Sequence, residues 1–353
     1  MVNAKTALVL VVLLAAGSAA RGQADLPPAP EPVTPEAPII PPPRPLPPPP
    51  PPVPALPPGF VYDHPVIPVG PAVACEAPPG WFAALEMDLV VPHIKNRLRE
   101  NVRIGDLITT SVHLPTAELD WTVAPRFELG YRLPDELGEF LVSYRFLVSD
   151  GLERGQSDAD GLLIHGRLRS RLDLNVIDLD YAHREYALGP AWDMKWRVGV
   201  RLANVFFDSR SAVHFSVPAA GFSMFEDQRT SNSFFGAGPH VGLDLSRRLG
   251  TSGLAVFTRT EGALVVGRIN QAFEDVFFFD DGFALGGAHS QHGTQAVPLL
   301  NVQAGLSWTP AGYSWLRLST GYQYEHWWYL GQVGNSRAEL WDQGVFFRAE
   351  YKY

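Results

Sequence analysis

The chain has 353 residues, a formal net charge of −9, one cysteine, 33 prolines and a mean hydropathy of −0.02. Beyond the N-terminus no apolar run approaches the roughly eighteen residues a spanning helix needs, which excludes a helical membrane protein. Mild acidity without clustered Lys and Arg argues against a nucleic-acid partner, and Cys75 alone builds neither a disulfide framework nor a multi-cysteine metal site.

The chain begins with a basic Lys5, an apolar core from Ala7 to Ala16, and small residues at Ser18 and Ala20 and at Gly22 and Ala24. This pattern predicts a secretory signal peptide over residues 1–24, cleaved after Ala20 or Ala24. Residues 25–79 are dominated by proline, including the run Pro47–Pro52. Proline fixes φ and donates no hydrogen bond, so the segment reads as a disordered, polyproline-like periplasmic spacer, with the cell wall as a candidate partner.

From Trp81 the texture changes to alternation with a period of two, in about ten segments. The first sets Trp81, Ala83, Leu85, Met87, Leu89 and Val91 against Glu86 and Asp88. The second sets Leu119, Trp121, Val123, Phe127, Leu129 and Tyr131 against Asp120, Thr122, Arg126, Glu128 and Arg132; the third opposes Phe140, Val142, Tyr144, Phe146 and Val148 to Glu139, Ser143, Arg145 and Ser149. In the fourth, Leu168, Leu172 and Leu174 oppose Arg167, Arg169 and Arg171, and then Ile177, Leu179 and Tyr181 oppose Asp178 and Asp180. That phase slip near Val176 predicts a bulge.

The fifth segment is the sharpest: Trp192, Met194, Trp196, Val198, Val200 and Leu202 alternate with Asp193, Lys195, Arg197, Gly199 and Arg201. Five more follow. Asn232–Leu245 carries His240 and Asp244 on its polar face, Leu254–Arg268 carries Arg259 and Glu261, and Val297–Trp308 carries Asn301 and Gln303. The ninth opposes Leu316, Leu318, Tyr322, Tyr324 and Trp328 to Arg317, Gln323 and Glu325, and the last opposes Val345, Phe347, Tyr351 and Tyr353 to Asp342, Arg348, Glu350 and Lys352.

Three features favour lipid over a second sheet as the apolar partner. The connections alternate, short at 133–138, 182–190, 246–253 and 309–313 and long at 93–118, 150–161, 207–230, 269–296 and 329–339, as in transmembrane barrels. The opposing faces carry too many charges for a sandwich core and read as a wet, charge-paired lumen. Tryptophans cluster near strand ends, at Trp81, Trp192, Trp308, Trp328 and Trp341. The predicted fold is therefore all-β, a transmembrane up-and-down antiparallel barrel over residues 80–353 with about ten strands, in an outer membrane, both termini periplasmic. The even residues of segment five face lipid. A one-residue slip there would place Lys195, Arg197 and Arg201 in lipid at about 2–4 kcal/mol each near the midplane. Phe347, Tyr351 and Tyr353 in the terminal strand resemble the signal read by the barrel-assembly machinery.

The stretch FFGAGPHVGLDL, Phe234–Leu245, resembles the signature of the pore-forming outer-membrane family typified by the Legionella major outer-membrane protein. Leu179-Asp180-Tyr181, EGALVVGR at Glu261–Arg268, VQAGL at Val302–Leu306 and GYQYEHW at Gly321–Trp327 support it. The resemblance implies a β-barrel and a porin role, with no catalytic residues; the proline-rich segment departs from the family pattern.

No enzymatic constellation, cofactor or metal site is expected. His289 and His292 lack a placed carboxylate for a metal, and Glu274, Asp275, Asp280 and Asp281 match no standard calcium loop. Two functions stand: a passive porin-like pore with a weak cation preference, from loop acids such as Asp150, Glu153, Asp158 and Asp160, or a structural, adhesive barrel anchored through its proline-rich arm. The oligomeric state is open.

Overall fold

The computed structural model describes residues 79–352 except 106–107, 135–136, 160–161, 219–220 and 281. The expected signal peptide, the proline-rich stretch to residue 78, Cys75 and Tyr353 lie outside the described residues. The strands are β1 (Gly80–Arg97), β2 (Glu100–Ile104), β3 (Ile108–Val112), β4 (Thr122–Arg132), β5 (Glu139–Ala159), β6 (Leu162–Ala182), β7 (Tyr186–Ala187), β8 (Trp192–Val217), β9 (Phe222–Arg248), β10 (Leu254–Phe279), β11 (Ala284–Trp308), β12 (Leu316–Trp327) and β13 (Arg337–Lys352).

β1, β4, β5, β6, β8, β9, β10, β11, β12 and β13 pair in that order, each antiparallel to the next, and the β1–β13 and β6–β8 pairings close the ring. Every barrel strand corresponds to one alternating segment of the sequence. β7 is a short addition to the β8 edge, and β2 and β3 form a separate hairpin. Within the membrane band closure leaves no barrel strand with an unpaired edge, the condition for crossing hydrocarbon with strands; beyond it β5 past Arg145 and β11 before Leu299 have one strand neighbour each.

The short connections lie together at one end. The link after β4 is closed by the Leu133 amide bonding the Gly138 carbonyl at 2.9 Å, with Gly138 at φ 92°, a conformation that favours glycine. At the other end the strands run on. β8, β9, β10 and β11 are 26, 27, 26 and 25 residues long, so three of the expected long loops, 150–161, 207–230 and 269–296, are mostly strand and form tall hairpins.

Along these strands the polarity of the two faces inverts. Near the short-turn end the outward residues are apolar and the inward ones charged: on β8, Val198 and Val200 are exposed while Arg197 and Arg201 are buried. Past Leu202 the outward residues become Asn204, Phe206, Asp208 and Arg210, polar apart from Phe206, and the inward ones Ala203, Val205 and Phe207, all three buried. The same crossover falls between Val91 and His93 on β1, Val148 and Asp150 on β5, Ile177 and Asn175 on β6, Phe235 and Ser233 on β9, and Val266 and Arg268 on β10. Registers place these crossovers beside one another: Ile177 pairs Leu202, Leu202 pairs Ala237, and Phe235 pairs Arg268. The outward apolar band on β8, Trp192 to Leu202, corresponds to about 25 Å of membrane at 3.3 Å per residue and a tilt near 40°.

Aromatic side chains mark both borders of that band. At the short-turn border Trp81 meets Tyr131 with centroids 5.1 Å apart, and Trp315 meets Tyr351 at 5.3 Å. At the other border His93 stacks on Trp341 at 5.4 Å and His326 on Trp328 at 4.4 Å. These are the girdles expected where rings meet headgroups. Beyond the second border the strands continue as a sleeve with a polar exterior and a mixed interior, apolar at Leu172, Leu174, Val205 and Phe207 and polar at Thr230, Asn232, Gln271 and Asp275.

This inversion corrects the reading of β6. Its register with β5 and β8 runs unbroken from Leu162 to Ala182, so no bulge lies near Val176. Leu172 and Leu174 are buried inside the sleeve, while Arg167, Arg169 and Arg171 point outward and are exposed rather than lining the lumen. The apparent slip is the membrane border, where the preferred solvent of each face changes and the backbone does not. Asp120 is also misplaced: β4 begins at Thr122, and Asp120 lies ahead of it, exposed, with its amide bonded to the Asp150 carbonyl at 3.0 Å. His289 and His292 sit in β11 three residues apart, on opposite faces, which rules out a shared metal.

Candidate functional site: a lumen closed at two levels

Inside the membrane band the expected lumen residues converge. Arg126 on β4 reaches Glu261 on β10 at 3.3 Å, and these strands stand diametrically opposite in the ring, so one ion pair spans the bore. Glu261 also takes Arg201 at 3.2 Å and Arg197 at 3.4 Å. Asp178 accepts from Arg201 Nε at 2.6 Å, from Arg126 at 3.3 Å and from the Ser143 hydroxyl at 3.2 Å. Asp244 bridges Arg197 at 2.7 Å and Arg259 at 2.9 Å.

A second cluster fills the β1 and β13 side. Arg348 pairs with Glu128 at 2.7 Å and with Glu86 at 3.5 Å, and Gln303 donates to Glu86 at 3.0 Å. Arg145 pairs with Glu325, which also accepts from Asn301 at 2.7 Å and from the Trp327 indole at 2.6 Å. Lys195 pairs with Glu139, and Glu350 takes Lys352 at 3.4 Å near the short-turn rim. Asp193 faces Arg248 at 3.1 Å on the same rim, and Arg317 is registered opposite Glu350. Glu86, Glu261 and Glu325 are each 1% exposed. Water does not reach them, so at this level the bore is filled by side chains. Narrow barrels are filled this way, and long Arg and Glu side chains extend the limit to a wider ring. Asp88 is buried in the same zone with neither carboxylate oxygen hydrogen-bonded.

Asp178, His240 and Glu261 bring ligand atoms within 4.8 Å of one another. His240 Nδ1 lies 2.8 Å from Asp180 and its Nε2 3.3 Å from Arg201. Because Arg126 and Arg201 already neutralise both carboxylates, and their guanidiniums repel a cation, the group is an ion-pair knot rather than a metal site.

The second closure lies in the sleeve. The first long connection turns back into the bore: Leu98, Val102, Ile104, Val112 and Leu114 are buried. The β2–β3 hairpin lies so close to β11 that a Cβ on Gly287 would stand 2.3 Å from the Arg103 carbonyl oxygen. The chain then crosses toward β5 and β6, where the Ala117 amide bonds the Ser170 hydroxyl at 2.9 Å. The connection between β12 and β13 enters beside it, since β13 pairs with β1. Gln271 on β10 donates to the Gly331 carbonyl at 2.9 Å, Asn232 on β9 to the Leu330 carbonyl at 3.4 Å, and Gln291 on β11 to the Ser336 hydroxyl at 3.2 Å. The Ser336 hydroxyl also bonds the Arg99 amide at 3.2 Å, joining the two insertions. Tyr329 adopts φ 59°, costly for a non-glycine residue, at the bend that sends the chain inward. The sequence reading missed this plug, although alternating Val102 and Ile104 inside a connection was the available signal.

Higher in the sleeve, Gln228 bridges Glu226 at 2.8 Å and Asp275 at 3.4 Å. Burial, with Asp275 adding to it, pushes the Glu226 carboxyl up to about 7. A carboxyl with a raised folded pKa favours the folded state while it is protonated, and that contribution is lost as pH rises through about 7. The sleeve should therefore resist urea better at pH 5 than at pH 8, by up to about 3 kcal/mol, and Glu226→Gln should flatten that dependence. An unchanged pH profile in the variant would rule this out. Asp280 has a local role instead, accepting from the Ser223 amide at 2.6 Å and from its hydroxyl.

On the outside, Trp192, Met194, Trp196, Val198, Val200 and Leu202 share the outward face of β8, with Trp196 partly covered by stacking on His183 at 5.3 Å. Phe347 and Tyr351 also point outward and are exposed, on β13.

Structural comparison finds outer-membrane barrels at low similarity. The outer membrane protease OmpT from Escherichia coli shares 10% identity with a TM-score of 0.45, over 78% of this chain and 97% of that one. The toluene transporter TodX from Pseudomonas putida shares 10% identity, TM-score 0.28, over 78% and 90% of the chains; neisserial surface protein A shares 13%, TM-score 0.24, over 78% and 97%. No curated protein matches in sequence. The family described as the Legionella pneumophila major outer membrane protein precursor matches residues 93–340. That span takes in part or all of every barrel strand and both inserted connections, and the chain is a member of this outer-membrane β-barrel family.

Proposed function

We propose that the protein is an outer-membrane barrel that presents its sleeve to the exterior while holding its bore shut, a structural and adhesive role without catalysis. The observation that carries this reading is the double closure: ion pairs spanning the bore within the membrane band and an inserted hairpin above it. In this reading both termini lie on the periplasmic side, where the proline-rich arm contacts the cell wall. Outward lipid contact by β8 and docking of the terminal strand on the assembly machinery belong to the same picture.

One observation favours the second reading, a porin with weak cation preference: the bore inside the band is lined by charged and polar side chains rather than apolar ones. Planar-bilayer recording of the purified full chain decides between them. The first reading expects no sustained conductance at neutral pH. Stable open steps with a cation-shifted reversal potential would establish the porin instead.

A further inference from the structure

Two carboxylates on the inner face of the sleeve have no cation beside them. Glu226 on β9 and Asp275 on β10 sit on neighbouring strands, and the Gln228 amide nitrogen bridges them at 2.8 and 3.4 Å. Among the described residues neither pairs with a Lys or Arg, and burial pushes both carboxyls up. Lower in the bore the pattern is the opposite: Glu261, Asp178 and Asp244 each take two or more arginines.

The surroundings of the two acids supply oxygen and room. Gln228 is registered between Ser211 on β8 and Asp275, and the position opposite Asp275 on β11 is Gly287, which carries no side chain. From the bore side the β2–β3 hairpin sets the Thr110 hydroxyl against Asp275. Asp275 is 0% exposed, yet its Oδ1 has no hydrogen-bond partner, and neither has the buried Thr230 hydroxyl one inward step below Gln228. A buried acceptor without a donor is costly, and two acids sharing a site without countercharge add repulsion to that cost. Glu226 is only half-buried, which leaves an entry path from the sleeve mouth.

A hard divalent cation answers both deficits. The donor set is oxygen alone, which suits calcium or magnesium rather than zinc or copper. Calcium accepts about six to eight oxygens at about 2.3–2.6 Å in flexible geometry, whereas magnesium demands a tight octahedron. The Glu226 and Asp275 oxygens on Gln228 stand no more than about 6 Å apart, and calcium between them needs about 5 Å. A half-turn of the Gln228 amide presents its carbonyl oxygen in place of its nitrogen.

We propose that Glu226, Gln228, Asp275 and Thr110 form a calcium site that fastens the β2–β3 hairpin to β9 and β10. The two carboxylates balance the ion's charge, and water completes its shell. With only two acids the affinity falls in the weak class, about 10⁻⁴–10⁻³ M. The site holds the plug in the sleeve whether or not the bore conducts, so bilayer recording and calcium binding fail independently.

The test titrates the detergent-purified, chelator-stripped full chain calorimetrically with calcium chloride and, separately, magnesium chloride. Calcium should fill one saturable site and magnesium should bind at least about tenfold more weakly. Asp275→Asn should weaken calcium at least about tenfold and still fold, because the amide relieves a buried repulsion. Glu274→Gln, one residue away on the outward face, should leave binding intact. Amide hydrogen exchange across β2 and β3 should slow in calcium for the wild type and stay unchanged for Asp275→Asn. Absence of saturable binding, equal affinity for magnesium, equal loss in Glu274→Gln, or calcium binding that leaves the hairpin's exchange unchanged would overturn the proposal.

Discussion

Glu261→Gln should lower the stability of the barrel by about 3–5 kcal/mol, the cost of leaving a buried charge without its partner. The carboxylate lies within 3.4 Å of Arg126, Arg197 and Arg201, and its amide replacement offers those guanidiniums no countercharge. Asp178 and Asp244 then face all three cations alone. The effect measures the state of the bore itself. In a water-filled channel the same guanidiniums would be solvated and the loss would fall to about 1 kcal/mol or less, the range of exposed pairs. Urea unfolding in detergent, followed by the electrophoretic shift between folded and unfolded barrel, separates the outcomes. Asp150→Asn, removing the partner of exposed Arg169, is the internal standard and should stay below about 1 kcal/mol.

The strands and their faces were legible because a strand shows alternate residues to opposite solvents, and Lys195, Arg197 and Arg201 could occupy only one of those faces. The face assignment failed where the solvents exchange places. On β6 the sequence shows Arg167, Arg169 and Arg171 alternating with leucines just as Arg197 and Arg201 alternate with valines on β8, but the first set lies beyond the membrane border and points into water. A single strand cannot separate that border from a bulge. Adjacent strands can: β8 changes phase past Leu202, the residue registered with Ile177, and two such changes at paired positions mark a plane. The ion pairs were legible in kind but not in partner, since Arg126 and Glu261 are 135 positions apart and meet only because the ring folds β4 and β10 to face each other. The plug was hidden for another reason. The connections that re-enter the bore bury Leu98, Leu114 and Leu330; the alternation of Val102 with Ile104 signals a strand there, but not that the strand lies inside the ring.

Val198→Arg should cost about 2–4 kcal/mol, the penalty for a cation facing hydrocarbon near the midplane of a barrel. Val198 is exposed on the outward face of β8, six residues above Trp192 and four below Leu202, in the middle of the apolar band. Ser231→Arg on β9 supplies the contrast. Ser231 has the same outward orientation and is registered opposite Asp208, but it lies past the crossover at Phe235, so the added arginine meets water and an acid and should shift stability by no more than about 0.5 kcal/mol. Stepping the substitution along β9 through Leu243, Val241, Ala237, Phe235 and Ser233 should give a cost that is largest near Val241, registered opposite Val198, and falls to about 0–1 kcal/mol by the border at Phe235 and Ser233, on a strand that continues unbroken to Phe222. A uniform cost along β9 would mean one solvent for the whole outer face and no membrane border at Phe235. The position at which the cost vanishes fixes where lipid ends on β9, and with it where the polarity of the outer face changes.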